Sequence, residues 1–167
     1  MGLFSKIKEG LRKTKDSMVK KMQRVVNSFT KIDEELFEQL EETMQKIMDQ
    51  YAGGIATDYR YNESRLALAK EKITSLQKLV DGLAAEDMDD LLRIYEVKER
   101  LVVCQVVIAH LLARKETRWH SFAENLDYPE KDDRNFNKYV NSRLENGEIK
   151  IIIRDLVTGG EKYEHSN

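Results

Sequence analysis

The densest run of side chains able to do chemistry is ARKETRWHSFAENLDYPEKDD, residues 113–133, where Arg114, Lys115, Glu116, Arg118, His120, Glu124, Asp127 and Tyr128 fall close together. Arginine can grip a carboxylate or phosphate through two parallel N–H bonds, His120 could shuttle a proton, and Trp119 could stack on a planar ring. The same composition also describes a salt-linked surface loop, and composition alone favours that plainer reading. Elsewhere the sequence excludes more than it offers. It contains no GxxxxGK[ST] loop to wrap a triphosphate and no GxGxxG turn to admit a dinucleotide, so Gly53-Gly54 and Gly159-Gly160 read as turns. Cys104 and His110 stand six apart, which does not place them together as an i, i+4 metal pair would require. Cys104 is the one cysteine, so neither an intramolecular disulfide nor a cysteine zinc cluster can form within the chain, and core packing is its expected role. No catalytic, cofactor-binding or metal-ligating set emerges.

A second candidate is electrostatic. The formal charge of -2 hides an asymmetry. Between residues 6 and 24 eight bases face only Glu9 and Asp16, whereas residues 33–49 carry seven acids against Lys46. Apolar residues recur through the basic arm at mostly helical spacing, from Leu3, Phe4, Ile7 and Leu11 to Met18, Met22, Val25, Val26 and Phe29. One reading is a helix docked on the rest of the protein. The other is adsorption to an anionic membrane surface through Leu3, Phe4, Lys6, Ile7, Lys8, Leu11, Arg12, Lys13 and Lys15. Nucleic acid is not expected as a partner, because no stacking aromatics are interleaved with these bases. Nothing approaches the roughly 18 apolar residues of a membrane span, and the N-terminus lacks the apolar core of a signal peptide. The expected location is cytoplasmic, with a peripheral place at the inner face of the membrane for the lipid-binding reading.

These segments need a scaffold. Charged residues make up 35% of the 167, aromatics 8%, and proline occurs once, a balance that fits a helix-rich globular chain. Asp33 or Thr30 can cap a helix striped by Leu36, Leu40, Met44 and Ile47 that ends at Gly53-Gly54. Asn62 starts another, reaching Gly82 with Leu66, Ala69, Ile73, Leu76 and Val80 on one seam. A third runs from Asp87 to Arg114 through LVVCQVVIAHLLA, apolar nearly all round, and is expected to be the most buried helix. KYVNSRL and EIKIIIR flank Asn146-Gly147, the strongest short-range signal for a two-residue hairpin turn. The fold expected is an all-α helical bundle with an amphipathic N-terminal helix and a small C-terminal β-hairpin.

Two stretches resemble known families. MGLFSKIKEGLRKTKDSM followed by KIDEELFEQLEE resembles the start of the bacterial signal-recognition-particle receptor FtsY, where an amphipathic helix aids membrane targeting and an acidic helix opens the helical N domain. The GTPase loop of that family is absent, so GTP hydrolysis is not implied. From about residue 44 the sequence resembles the C-terminal end of the flavoprotein subunit of the fumarate reductase, succinate dehydrogenase and adenylylsulfate reductase group. Its carriers are KIMDQYAGGI, YNESRLALA, EVKERLVVCQVVIAHLLARKETRW and HSFAENLDYPEKDDRNFNKYVNS. Arg114, Glu116, Thr117 and Arg118 match that family's Arg-x-Glu-Ser/Thr-Arg motif, and Asp127, Tyr128, Pro129, Asp132 and Asp133 match its later Asp-Tyr-Pro and acidic pair. Trp119, where many fumarate reductases have glycine, and the long spacer to Asp127 look more like the adenylylsulfate reductase side.

The two resemblances divide the chain at residues 1–43 and 44–167. The longer one implies a helical domain that packs on a FAD domain, with FAD belonging to the parent family and not bound by this chain alone. It implies an inactive part of an oxidoreductase whose partner is the FAD domain or an iron-sulfur subunit. Arg114, Glu116, Arg118, Trp119, His120, Asp127 and Tyr128 then become candidates for docking rather than catalysis. The competing reading is a membrane-targeted interaction module without GTPase activity.

Overall fold

The computed structural model describes residues 32–118 and 123–157. The basic arm with its candidate lipid contacts, together with Trp119, His120 and the 158–167 tail, lies outside these residues.

Three helices form the core, and each begins where a short polar side chain can take over an unsatisfied amide. Helix α1 spans Glu34–Tyr51, with the Asp33 carboxylate accepting from the Leu36 N–H at 3.0 Å. Helix α2 spans Glu63–Asp81, capped by Asn62, whose amide oxygen accepts from the Arg65 N–H at 2.8 Å. Helix α3 spans Met88–Ala113, where Asp87 accepts from the Asp90 N–H at 2.9 Å. Acidic residues fill the first turn of each, favoured by the positive end of the helix dipole.

The stripes close on one another. Leu36, Phe37, Leu40, Met44 and Ile47 from α1 meet Leu66, Ala69, Ile73, Leu76 and Val80 from α2 and Ile94, Val97, Leu101 and Ile108 from α3. Full burial of one such Leu or Ile contributes about 1.5–3 kcal/mol, so this cluster supplies the main driving force of the fold. Helix α1 is continuous through residues 43–46, where the two sequence resemblances meet, and its buried residues continue across that point on one face.

Between α1 and α2 the chain turns tightly. Gly53 takes φ +76°, and a Cβ on Gly54 would come within 2.3 Å of the Asp49 Cα. A 3₁₀ turn at Ile55–Thr57 follows, and then the two-residue strand β1, Arg60–Tyr61. Strand β1 pairs in parallel with β2, Glu124–Asn125, a link that the sequence did not disclose. After one helical turn, α4 (Asp133–Phe136), strands β3 (Lys138–Glu145) and β4 (Glu148–Asp155) form the expected antiparallel hairpin. Asn146 and Gly147 both have positive φ, 52° and 81°, as a type I′ turn demands. The hairpin packs on the C-terminal half of α3, where His110 Nε2 lies 3.0 Å from Ser142 Oγ.

One expectation fails. Helix α3 is not the most buried, because Met88, Leu92 and Val103 remain 76%, 60% and 60% exposed. The reason is geometric: in a bundle of three helices each has only two helical neighbours. Among the described residues the elements chiefly packed on α3 are α1, α2 and the hairpin, which leave these side chains open.

Candidate functional site

The segment after α3 owes its arrangement to a change of backbone. Arg114 leaves the helix with φ -92° and ψ 101°, an extended conformation, and the chain bends again at Glu116 and Arg118. Arg114, Glu116 and Arg118 gather into one hydrogen-bonded group, while Lys115 and Thr117 bond to a second set of partners.

Glu116 is the centre of the first group, and its side chain has no solvent exposure. Arg118 holds it as a two-pronged fork, Nε to Oε1 and Nη2 to Oε2, both at 2.9 Å. The Asp132 N–H donates to Oε2 at 2.9 Å, and Arg114 Nη1 donates to Oε1. Burial pushes the Glu116 carboxyl up, but hydrogen bonds from Arg118, Asp132 and Arg114 together outweigh it and hold the group below its usual range. The two arginines reach further. Arg114 also donates to the carbonyls of Phe136 and Lys138 at 3.0 and 3.1 Å, and Arg118 Nη1 binds Asp133 Oδ1 at 2.8 Å. The carboxyl of Asp133 is held low by Lys131 and Arg118. One buried carboxylate thus ties the end of α3 to α4 and to the first residue of β3.

The other side of the segment is equally occupied. Buried Thr117 donates its hydroxyl to the Tyr128 carbonyl at 2.9 Å and accepts from the Asn125 N–H at 3.0 Å. Lys115 lies 3.1 Å from Glu63 and over the Tyr128 ring, 5.4 Å from its centroid. Asp127 accepts from the Glu63 N–H at 2.7 Å, so it serves the N-terminus of α2 from 64 residues away. The Asn125 side chain, also buried, accepts from the Asp127 N–H at 3.1 Å and fixes that turn.

Five sequence candidates, Arg114, Glu116, Arg118, Asp127 and Tyr128, therefore come together, while Trp119 and His120 lie outside the described residues. Asn125, Thr117 and Glu63 complete the arrangement. Asn125 and Glu63 had no sequence signal beyond their polarity; Thr117 was visible only as part of the motif. The cluster satisfies itself. With Glu116 enclosed, and Arg118 and Arg114 side chains only 18% and 28% exposed, the group clamps the surrounding backbone together.

A family model described as the C-terminus of the fumarate reductase flavoprotein matches residues 41–164. The chain belongs to that family. Among curated relatives of this fumarate reductase flavoprotein C-terminal domain is the adenylylsulfate reductase subunit alpha of Megalodesulfovibrio gigas. It is 30% identical over 100 residues, which cover 60% of this chain and 15% of that protein. An uncharacterized FAD-dependent oxidoreductase of Methanocaldococcus jannaschii is 33% identical over 89 residues, 53% of this chain and 15% of that protein. Among solved structures, adenylylsulfate reductase from Archaeoglobus fulgidus superimposes with a TM-score of 0.69 at 31% identity, covering 92% of this chain and 25% of that one. The chain therefore spans a small part of its relatives' length. No observation supports the receptor-like reading of residues 1–43: residues 1–31 lie outside the described ones, and the flavoprotein match already takes in residues 41–43.

The parent family is FAD-dependent, but the described residues do not fit a flavin site. Gly53 and Gly147 make turns, Gly82 caps α2 and Gly54 abuts Asp49, so none lies in a phosphate-cradling loop. Arg114 and Arg118, the arginines of the motif, are already held by Glu116. Among the described residues no group of three or more His, Cys, Asp or Glu could hold a metal ion, and no helix is long and apolar enough to cross a membrane.

Proposed function

We propose that this chain acts as the C-terminal helical portion of a FAD-dependent reductase flavoprotein of the adenylylsulfate and fumarate reductase type, supporting the flavin-bearing part without performing chemistry alone. The observation that carries this reading is the coincidence of the family match with the clamp: the motif residues are turned inward, on each other and on the backbone of the next elements. They hold a rigid corner between the bundle and the hairpin. Docking through this corner then depends on the shape that Glu116 imposes, while Lys115 and Asp127 are the members nearer solvent. The partner is the FAD-binding part of such a flavoprotein, in the reducing cytoplasm, a setting compatible with a single cysteine. The membrane-directed module has no specific observation in its favour and is not part of this proposal.

Co-expression tests it. The chain is produced with an adenylylsulfate reductase alpha subunit lacking its own corresponding C-terminal region. The expected result is co-purification with retained flavin absorbance, and no flavin on the chain purified alone. Failure to associate, or stoichiometric flavin on the chain by itself, would overturn the reading.

A further inference from the structure

The turn between α1 and α2 holds a conformation that one of its residues does not favour. Asp58 and Tyr59 take φ 50° and 59°, in the left-handed region. Aspartate tolerates that region, but a bulky aromatic residue rarely enters it, and glycine would sit there freely. The surrounding backbone imposes it. The Thr57 and Tyr59 N–H groups both donate to the Gly54 carbonyl, at 3.1 and 3.2 Å, and the Tyr59 carbonyl accepts from the Glu124 N–H at 2.9 Å. Each of these bonds is between main-chain groups, so a glycine at position 59 could make them all. What glycine would lack is the ring.

That ring is half-exposed, and it has apolar company. Ile55, in the same turn, is 71% exposed, and half-exposed Leu126 follows β2, where its N–H donates to the Tyr61 carbonyl at 2.8 Å. On the strand pair that joins Tyr59 to Leu126, Arg60 Nε meets Glu124 Oε2 at 3.0 Å. One aromatic and two aliphatic side chains beside a satisfied ion pair have the composition of the centre of a protein contact, where tyrosine is enriched. Strained residues of this kind persist where the neighbouring structure over-determines them, and they gather at binding surfaces.

We propose, on the basis of the function given above, that Ile55, Tyr59 and Leu126 anchor this chain on the flavin-bearing part of a reductase flavoprotein, and that Tyr59 is kept strained because its ring belongs in that contact. Two observations select the occupant. The relatives extend far beyond the length of this chain, so in them the same bundle belongs to a polypeptide with much more to pack against it. Strand β2 and Leu126 also lie inside the stretch that carries the family motif, residues 114–133, whose arginines turn inward on Glu116. The outward members of that stretch, and the turn latched to it, are what remain for a partner to touch.

In the co-expressed pair described above, Tyr59→Phe should associate like the natural chain, whereas Tyr59→Gly and Leu126→Ser should each weaken association on the order of tenfold. On the full chain alone, Tyr59→Gly should leave the urea midpoint at or above its natural value, because the turn is relieved; lost association is then not lost folding. A lowered midpoint would make the ring a support of the fold and overturn the proposal. Association unchanged in both variants would overturn it alone, whereas a natural chain that fails to associate would overturn the proposed function with it. Self-association of the natural chain that both variants abolish would assign the patch to a second copy, and would overturn it too.

Discussion

Glu116 accepts from two guanidinium groups and a backbone N–H, so neutralising it removes the buried carboxylate that two largely covered cations share. Glu116→Gln keeps the shape and removes the charge, and should lower stability on the order of 3 kcal/mol, read as a shifted urea midpoint. Arg118→Lys keeps the charge and loses the fork, with a smaller cost of about 1.5 kcal/mol. The same carboxylate sets a pH dependence. Its folded pKa lies below its ordinary value, so its contribution is fully present above the ordinary glutamate range and is lost as pH falls through the folded value. Asp133 adds to the slope with the same sign. Denaturant midpoints measured across the acidic range should fall for the natural chain and flatten in Glu116→Gln. At this scale the sequence disclosed which residues matter but not who holds whom. Arg114, Glu116 and Arg118 read as a string of charges, because a spacing of two brings side chains together only along certain backbone paths and the path of the chain after α3 has no local sequence signal.

Among the elements, α2 has an unusual start. Asn62 caps it from within, and Asp127 supports it from the far end of the chain. Asp127→Ala should cost about 1 kcal/mol, a typical value for a lost cap, and weaken amide protection in the first turn of α2 more than in α1. The three helices and the hairpin were legible because each carries local instructions: caps at Asp33, Asn62 and Asp87, a stripe at helical spacing, and Asn146-Gly147 with its two positive φ values. Strands β1 and β2 were not. Two residues cannot show a period, and their pairing across 64 positions has no local cause. The burial of α3 was misjudged for a different reason: hydrophobicity measures what a helix would gain from cover, while the number of neighbours decides how much cover it gets.

For the whole molecule, that uncovered side of α3 has a consequence in solution. Met88 and Leu92 stand one helical turn apart beside exposed Tyr95, an apolar patch on a chain that spans a small part of its relatives. Met88→Lys with Leu92→Lys should reduce self-association of the purified chain in sedimentation velocity, while the urea midpoint moves by no more than about 0.5 kcal/mol. The parallel contact of β1 with β2 has a consequence of another kind, in time. Helices α2 and α3 lie next to each other in sequence and can zip together through local contacts. The Glu124 and Leu126 amides, by contrast, reach the Tyr59 and Tyr61 carbonyls only after the whole helical pair has folded back. This latch closes a long loop around both helices, so it carries loop-closure entropy that the helices do not. It should be absent from the folding transition state, and loosening it should speed unfolding while leaving the rate of folding almost untouched.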